Sequence, residues 1–104
     1  MTTSTESLAA IRQLRADKKF AAVSLYPGAP NEDIRLRCES KVNQFLDGIL
    51  ALLAHDASKE EILSRAKDML DSFSKEDTEE QERVDDYVGE IMRIIGLDDW
   101  TDFI

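Results

Sequence analysis

The chain has 104 residues, a formal net charge of −9 and a single cysteine. Its length predicts a single domain spanning residues 1–104, and its 42% hydrophobic content argues against disorder. Residues 74–104 hold eleven of the 22 acidic residues and only three of the 13 basic ones, so binding to nucleic acid or to an anionic membrane is disfavoured.

The N-terminal third predicts one helix followed by an ambiguous segment. Thr3 and Glu6 have the spacing of a capping box, so we expect a helix over residues 4–16. Residues 18–26 could extend this helix, form a short second one, or lie extended against the core, because periodicity does not separate these for so short a run. Two prolines within residues 27–30 then break the chain.

The longest helix is predicted over residues 32–54. Asn31 is its expected N-cap, because its side-chain oxygen can accept a hydrogen bond from the first turn. Apolar residues recur at helical spacing on one broad stripe, which is typical of a helix packed against several neighbours. The stripe comprises Ile34, Cys38, Val42, Phe45, Ile49 and Leu52, widened by Leu46, Leu50 and Leu53.

Two more amphipathic helices are predicted, over about residues 58–73 and 78–95, and a last turn over residues 98–104. Aromatic and apolar side chains of the last turn share one face, and we expect them to pack inward and close one end of the bundle. The signals are the capping-box pairs Ser58–Glu61 and Thr78–Gln81, the C′ glycine Gly96, and the face formed by Trp100, Phe103 and Ile104.

Short connections between four amphipathic helices predict an all-α up-down bundle with a short C-terminal turn. Gly48 and Gly89 are predicted to let the second and fourth helices cross closely, since a mid-helix glycine otherwise costs about 1 kcal/mol relative to alanine.

The residues that carry chemistry in other proteins do not combine into a catalytic motif here. His55, the only histidine, would lie roughly 25 Å from Cys38 along one continuous helix, which excludes a Cys–His pair. The acidic residues lack the Glu-x-x-His motifs of di-iron bundles and the EF-hand pattern, and there is no P-loop. We therefore predict no enzyme activity, no cofactor and no metal site. A carboxylate-based metal protein or enzyme is the weakest alternative.

The acidic face of the fourth helix is the main candidate for binding. Negative charge displayed along a helix attracts and steers a basic protein. The tail is a second candidate: if Trp100 is exposed and not packed inward, it would make a good interface anchor. The simpler interpretation is that the acidic residues only keep the protein soluble. The predicted partner-binding residues are Glu79, Glu82, Asp85, Asp86, Glu90 and Trp100.

Three stretches of the chain carry a resemblance: residues 25–28, residues 37–39 leading to 42–43, and residues 86–92 leading to 95–97. They resemble a bacterial family of small helical proteins of unknown function. The resemblance implies a single-domain bacterial protein and brings no catalytic residues.

Polar side chains within two of these stretches form a second candidate site. Arg37, Glu39 and Asn43 lie beside the apolar stripe of the second helix. They either hydrogen-bond to the loop at residues 25–28 or line a shallow polar site together with Tyr26.

Location and function follow as expectations. A lone cysteine favours a reducing compartment, no apolar run approaches the roughly 20 residues that cross a membrane, and residues 1–6 are too polar and acidic for a signal peptide. We expect a non-enzymatic cytoplasmic protein that binds a basic protein partner through its acidic C-terminal half, as an inhibitor or immunity protein would. The alternative is a homodimeric structural or regulatory protein joined through apolar surface on the first helix or the tail.

Overall fold

Four α-helices are present among residues 3–103, which are the residues that this computed structural model describes. Within this range the chain forms no β-strand, only an isolated bridge between Val23 and Tyr26. The predicted all-α fold with four main helices is therefore confirmed. The helices are α1 (Thr5–Ala16), α2 (Glu32–Ala54), α3 (Lys59–Asp71) and α4 (Thr78–Ile95), followed by a short 3₁₀ helix at Trp100–Asp102.

Each helix packs beside the next one along the chain, and α1 also contacts α4, so the four helices surround a common core. The apolar stripes predicted from helical spacing supply most of this core. Phe45 and Ile91, for example, are both buried. None of the helices in the described range is long and apolar enough to cross a bilayer.

Three of the predicted helix ends are confirmed, two by side-chain hydrogen bonds and one by its backbone conformation. The Asn31 side chain accepts a hydrogen bond from the Ile34 amide at 2.9 Å, and the Ser58 hydroxyl accepts one from the Glu61 amide at 3.2 Å. Gly96 ends α4 in the left-handed conformation, with φ of +81°, which a glycine adopts without steric strain.

The other two predicted capping boxes are wrong by one residue. The N-cap of α1 is Ser4, not Thr3, and its hydroxyl accepts a hydrogen bond from the Ser7 amide at 3.1 Å. The N-cap of α4 is Asp77, not Thr78. The Gln81 side chain, which was predicted to complete the capping box with Thr78, donates to two carbonyl groups of the preceding loop.

The ambiguous segment after α1 is an irregular loop that lies against the core. Phe20 is fully buried, with φ of +60°, and its ring lies 5.1 Å from the ring of Tyr87 and 5.7 Å from that of Phe73, measured between centroids. Tyr26 is also buried, and Val23 and Tyr26 exchange backbone hydrogen bonds of 2.9 and 3.1 Å. Of the three alternatives for residues 18–26, extended packing against the core therefore describes the structure best.

The prediction that Gly48 and Gly89 allow a close crossing of α2 and α4 is wrong. A Cβ atom at Gly48 would lie 3.0 Å from the guanidinium of Arg65, which belongs to α3. A Cβ atom at Gly89 would meet no described atom within 4 Å beyond its own helix. Packing therefore does not require a glycine at position 89.

The aromatic residues of the tail differ in their surroundings. Trp100 is partly buried against the core, whereas the Phe103 side chain is 55% exposed and lies 4.1 Å from the Lys59 ammonium. Inward packing of the tail is thus observed for Trp100 and not for Phe103. Ile104, the third residue of the predicted face, lies outside the described residues.

Candidate functional site

A groove of about 590 Å³ separates the loop after α1 from the first half of α4. One wall is largely apolar and comes from the loop, and the other carries three carboxylates from the helix. We call this feature the acidic groove. Its lining residues are Val23, Ser24, Leu25, Tyr26, Pro27, Glu79, Glu82, Arg83 and Asp86.

The apolar wall ends in a fully exposed side chain. Leu25 is 100% exposed and Val23 is 51% exposed. Single exposed apolar residues are common on soluble proteins, but here two of them stand at the edge of a groove.

Hydrogen bonds from loop amides to side chains of α2 and α4 hold the loop in this position. The Tyr87 hydroxyl of α4 accepts from the Phe20 amide at 3.0 Å, and a Glu39 carboxylate oxygen of α2 accepts from the Lys19 amide at 2.8 Å. The ammonium of Lys19 is buried and donates to two carbonyls at the end of α1, at 2.8 and 3.2 Å. Burial lowers the pKa of this ammonium.

A buried pair fixes the base of the groove. The Tyr26 hydroxyl donates a 2.7 Å hydrogen bond to the Glu80 carboxylate, which is only 1% exposed. Burial, followed by this bond to Glu80, raises the pKa of Tyr26. Glu80 therefore ties the loop to the first turn of α4 from the inner face of the helix.

The acidic wall reflects the geometry of α4. Residues 79, 82, 83 and 86 share one face of the helix, because three- and four-residue steps bring side chains into register. Glu79, Glu82 and Asp86 are exposed on this face. The structure thus brings together three of the six predicted partner-binding residues.

The remaining three predicted residues are outside the groove. Asp85 is exposed on another face of α4, and Glu90, one turn after Asp86, is exposed but does not line the groove. Although Asp85 is exposed, neighbouring protein atoms keep some water away from its carboxylate, and this desolvation, followed by the charges of Asp86 and Glu82, raises the pKa of Asp85. Trp100 belongs to the tail after α4 and packs against the core.

Arg83 lies in the groove among these carboxylates. Its guanidinium carbon is 4.7 Å from the centroid of the Tyr87 ring and 5.7 Å from that of Tyr26. Its nearest acidic partner is Asp86, with 3.8 Å between Nη1 and Oδ2, which is too long for a hydrogen bond. The buried Nε has no acceptor among residues 3–103.

The predicted shallow polar site does not assemble. Glu39 accepts hydrogen bonds from the Lys19 amide and, at 2.9 Å, from Arg35. Burial alone would raise the pKa of Glu39, but these bonds hold it below its ordinary value. Tyr26 is bonded to Glu80, so it does not join Glu39 in one site. Glu39 does hydrogen-bond to the loop, at its beginning and not at residues 25–28.

Arg37 and Asn43 are also separate from each other. Arg37 Nε donates to Glu76 at 2.9 Å, and Lys41 donates to the same carboxylate at 3.1 Å. These two bases keep the pKa of Glu76 below its ordinary value, the Arg37 hydrogen bond having the largest effect. Asn43 Oδ1 is buried and accepts no hydrogen bond from the described part of the chain.

Sequence analysis identified the loop at residues 25–28 and Tyr26, but it missed the exposure of Leu25 in the loop wall, and it missed Arg83. Arg83 had a usable signal, because it stands four residues after Glu79 and three before Asp86, on their face of the helix. Leu25 had none, because its exposure depends on contacts between the loop and distant helices. Among residues 3–103, no group of three or more histidine, cysteine, aspartate or glutamate side chains is arranged to hold a metal ion.

The fold and the site define a small all-α protein with an acidic groove between the loop after α1 and the first half of α4. The chain belongs to the family described as "Domain of unknown function (DUF4844)", whose model matches residues 2–102. No curated protein matches the chain. No solved structure matches it either.

Proposed function

We propose that this protein is a non-enzymatic protein-binding module whose acidic groove engages a basic partner protein, in the manner of an inhibitor or immunity protein. The observation that carries the proposal is the position of the fully exposed Leu25 across a groove from three exposed carboxylates. An apolar contact flanked by charges is the usual composition of a protein interface.

Charge complementarity argues for a basic partner. Glu79, Glu82 and Asp86 line the groove within a chain of net charge −9, so a positively charged surface is attracted and steered toward it. The same field repels nucleic acid and anionic membranes. The proposal includes a cytoplasmic location in a bacterium, in agreement with the single cysteine and with the resemblance noted from the sequence.

Homodimerisation is the alternative that the exposed apolar residues raise. A second copy placed on Leu25 would bring two sets of like carboxylates together, and like charges facing each other across an interface are unfavourable. We therefore favour a basic partner over a second copy of the chain.

A short basic peptide tests the proposal directly. The probe is acetyl-Lys-Lys-Leu-Pro-Lys-Lys-amide, titrated into ¹⁵N-labelled protein and followed by two-dimensional NMR. We expect saturable shifts at residues 23–26 and 79–86. Binding should be weaker at high salt because exposed charges are screened, and weaker when serine replaces the peptide leucine.

Paired variants separate the groove from general acidity. Glu79→Gln combined with Glu82→Gln should weaken binding about fivefold, because exposed charge pairs contribute about 0.2–1 kcal/mol each. The control, Glu60→Gln with Glu61→Gln in the first turn of α3, removes the same charge and should change affinity less than about twofold. Equal effects of the two double variants, or shifts spread evenly over the acidic surface, would overturn the proposal.

Leu25 has its own matched pair. Leu25→Ser should weaken binding of the leucine-containing probe without loss of stability, because its side chain is fully exposed. Leu36→Ser changes an exposed leucine on α2, away from the groove, and should leave the affinity unchanged. An unchanged affinity in Leu25→Ser would show that the apolar wall does not bind the partner.

A further inference from the structure

Arg83 is a cation in a site that we assign to basic partners. Judged by electrostatics alone, the charge of Arg83 weakens binding, because it repels the basic ligand that the neighbouring carboxylates attract. Its guanidinium rests against Tyr26 and Tyr87, with Asp86 beyond hydrogen-bond distance. The guanidinium thus lies at the groove without a hydrogen bond to any residue that the structure describes.

The surroundings restrict what Arg83 can bind. An anion is disfavoured, because Glu79, Glu82 and Asp86 line the same groove. A cation is disfavoured by Arg83 itself. A neutral oxygen remains, and the oxygen that every protein offers in quantity is the main-chain carbonyl.

The conformation of the partner follows from the same reasoning. Carbonyls within helices and sheets already accept a hydrogen bond and point along the helix or toward the neighbouring strand, so they are less accessible to a donor on another protein. An extended segment leaves its carbonyls free, and it alternates the directions of its side chains. It can therefore place a basic side chain at the acidic wall and an apolar one at Leu25 while a carbonyl faces Arg83.

We infer that Arg83 determines specificity by donating to a main-chain carbonyl of an extended, basic segment of the partner. This inference rests on the proposed function and adds the conformation of the ligand to it. A folded surface with basic side chains alone would satisfy the proposed function without using Arg83.

Replacing Arg83 gives opposite results if the residue only repels a basic ligand and if it donates a hydrogen bond to that ligand. Arg83→Met removes a repulsive charge, so charge alone predicts tighter binding of the lysine-leucine probe. If Arg83 donates to the probe, binding should instead weaken about tenfold, which corresponds to about 1.4 kcal/mol. Arg93→Met, at an exposed position in the last turn of α4, removes the same charge and should leave binding unchanged or slightly tighter.

Arg83→Lys guards against a folding defect, because it keeps the charge and most of the stem. It should also weaken binding, since an ammonium lacks the planar fork of the guanidinium. A probe with the same lysine and leucine content, held helical by a side-chain staple, should bind more weakly than the extended one.

The outcomes distinguish the two proposals. Unchanged or tighter binding of the extended probe by both Arg83 variants overturns the inference and leaves the proposed function standing. Equal affinity for the stapled helix also overturns it. Failure of the extended probe to bind the unaltered protein overturns both.

Discussion

The hydrogen bond between the Tyr87 hydroxyl and the Phe20 amide is the contact whose removal tests the loop most directly. Both residues are buried, and the donor and acceptor atoms are 3.0 Å apart. Tyr87→Phe keeps the ring, and with it the contacts to Phe20 and Arg83, but removes the only acceptor of the Phe20 amide in the described chain.

The expected loss of stability arises because Tyr87→Phe leaves the buried Phe20 amide without an acceptor. A buried donor without an acceptor costs about 1–3 kcal/mol, because it gives up water without compensation. For a domain of about 100 residues, each kcal/mol lowers Tm by about 4–8 °C. We therefore expect Tyr87→Phe to lose about 2 kcal/mol in urea denaturation and about 10 °C in thermal melting.

Hydrogen exchange locates the effect. The Phe20 amide should exchange much faster in the variant, whereas the amide of Ile49, in the middle of α2, should follow only the change in global stability. A loss of stability below about 0.5 kcal/mol, or a Phe20 amide that keeps its protection, would show that this bond does not hold the loop.

Two further predictions concern stability alone. Gly89→Ala should stabilise the protein by up to about 1 kcal/mol in urea denaturation, since alanine favours the helix and a Cβ atom there meets open space; a destabilised variant would contradict the placement of this residue. Glu76 has a pKa below its ordinary value of 4.5, so its contribution to stability is complete above that pH and is lost as the pH falls through the folded pKa. Arg37→Gln should therefore destabilise the protein at pH 7 and flatten the decline in stability toward pH 3, and an equal loss at both pH values would argue against the ion pair.

Local sequence patterns predicted the helices well, because a helix end is determined by the residues at and beside it. Asn31, Ser58 and Gly96 have the side chain or backbone freedom that a helix end requires, and the structure uses each of them. The two errors of one residue arose where a second capable cap stood beside the first, Ser4 after Thr3 and Asp77 before Thr78. Spacing alone does not choose between such neighbours.

Part of the site also had a local signal. The exposed carboxylates of α4 followed from their density and spacing. The buried Glu80 could have been found in the same way, because it stands four residues before Val84 and seven before Tyr87, on the apolar stripe. An acidic residue on the buried side of a helix predicts a polar partner, and here that partner is Tyr26.

The loop at residues 25–28 was identifiable from the sequence, but its position as an exposed wall was not, because that position depends on contacts between distant parts of the chain. Glu39 and Tyr87 each accept a hydrogen bond from the loop, although they stand 20 and 67 residues after their partners, Lys19 and Phe20. No pattern within residues 18–26 encodes these partners. The exposure of Leu25 therefore does not follow from the sequence of the segment itself, because it depends on these distant partners.

The first turns of α4 link stability to binding through their two faces. The inner face carries Glu80 and Tyr87, which fix the loop, while the outer face carries Glu79 and the other groove carboxylates. Because the loop is held before a partner arrives, little ordering is required on binding, and affinity depends on the contacts themselves. Inner-face variants should therefore lower stability and affinity together, whereas Glu79→Gln should lower affinity alone.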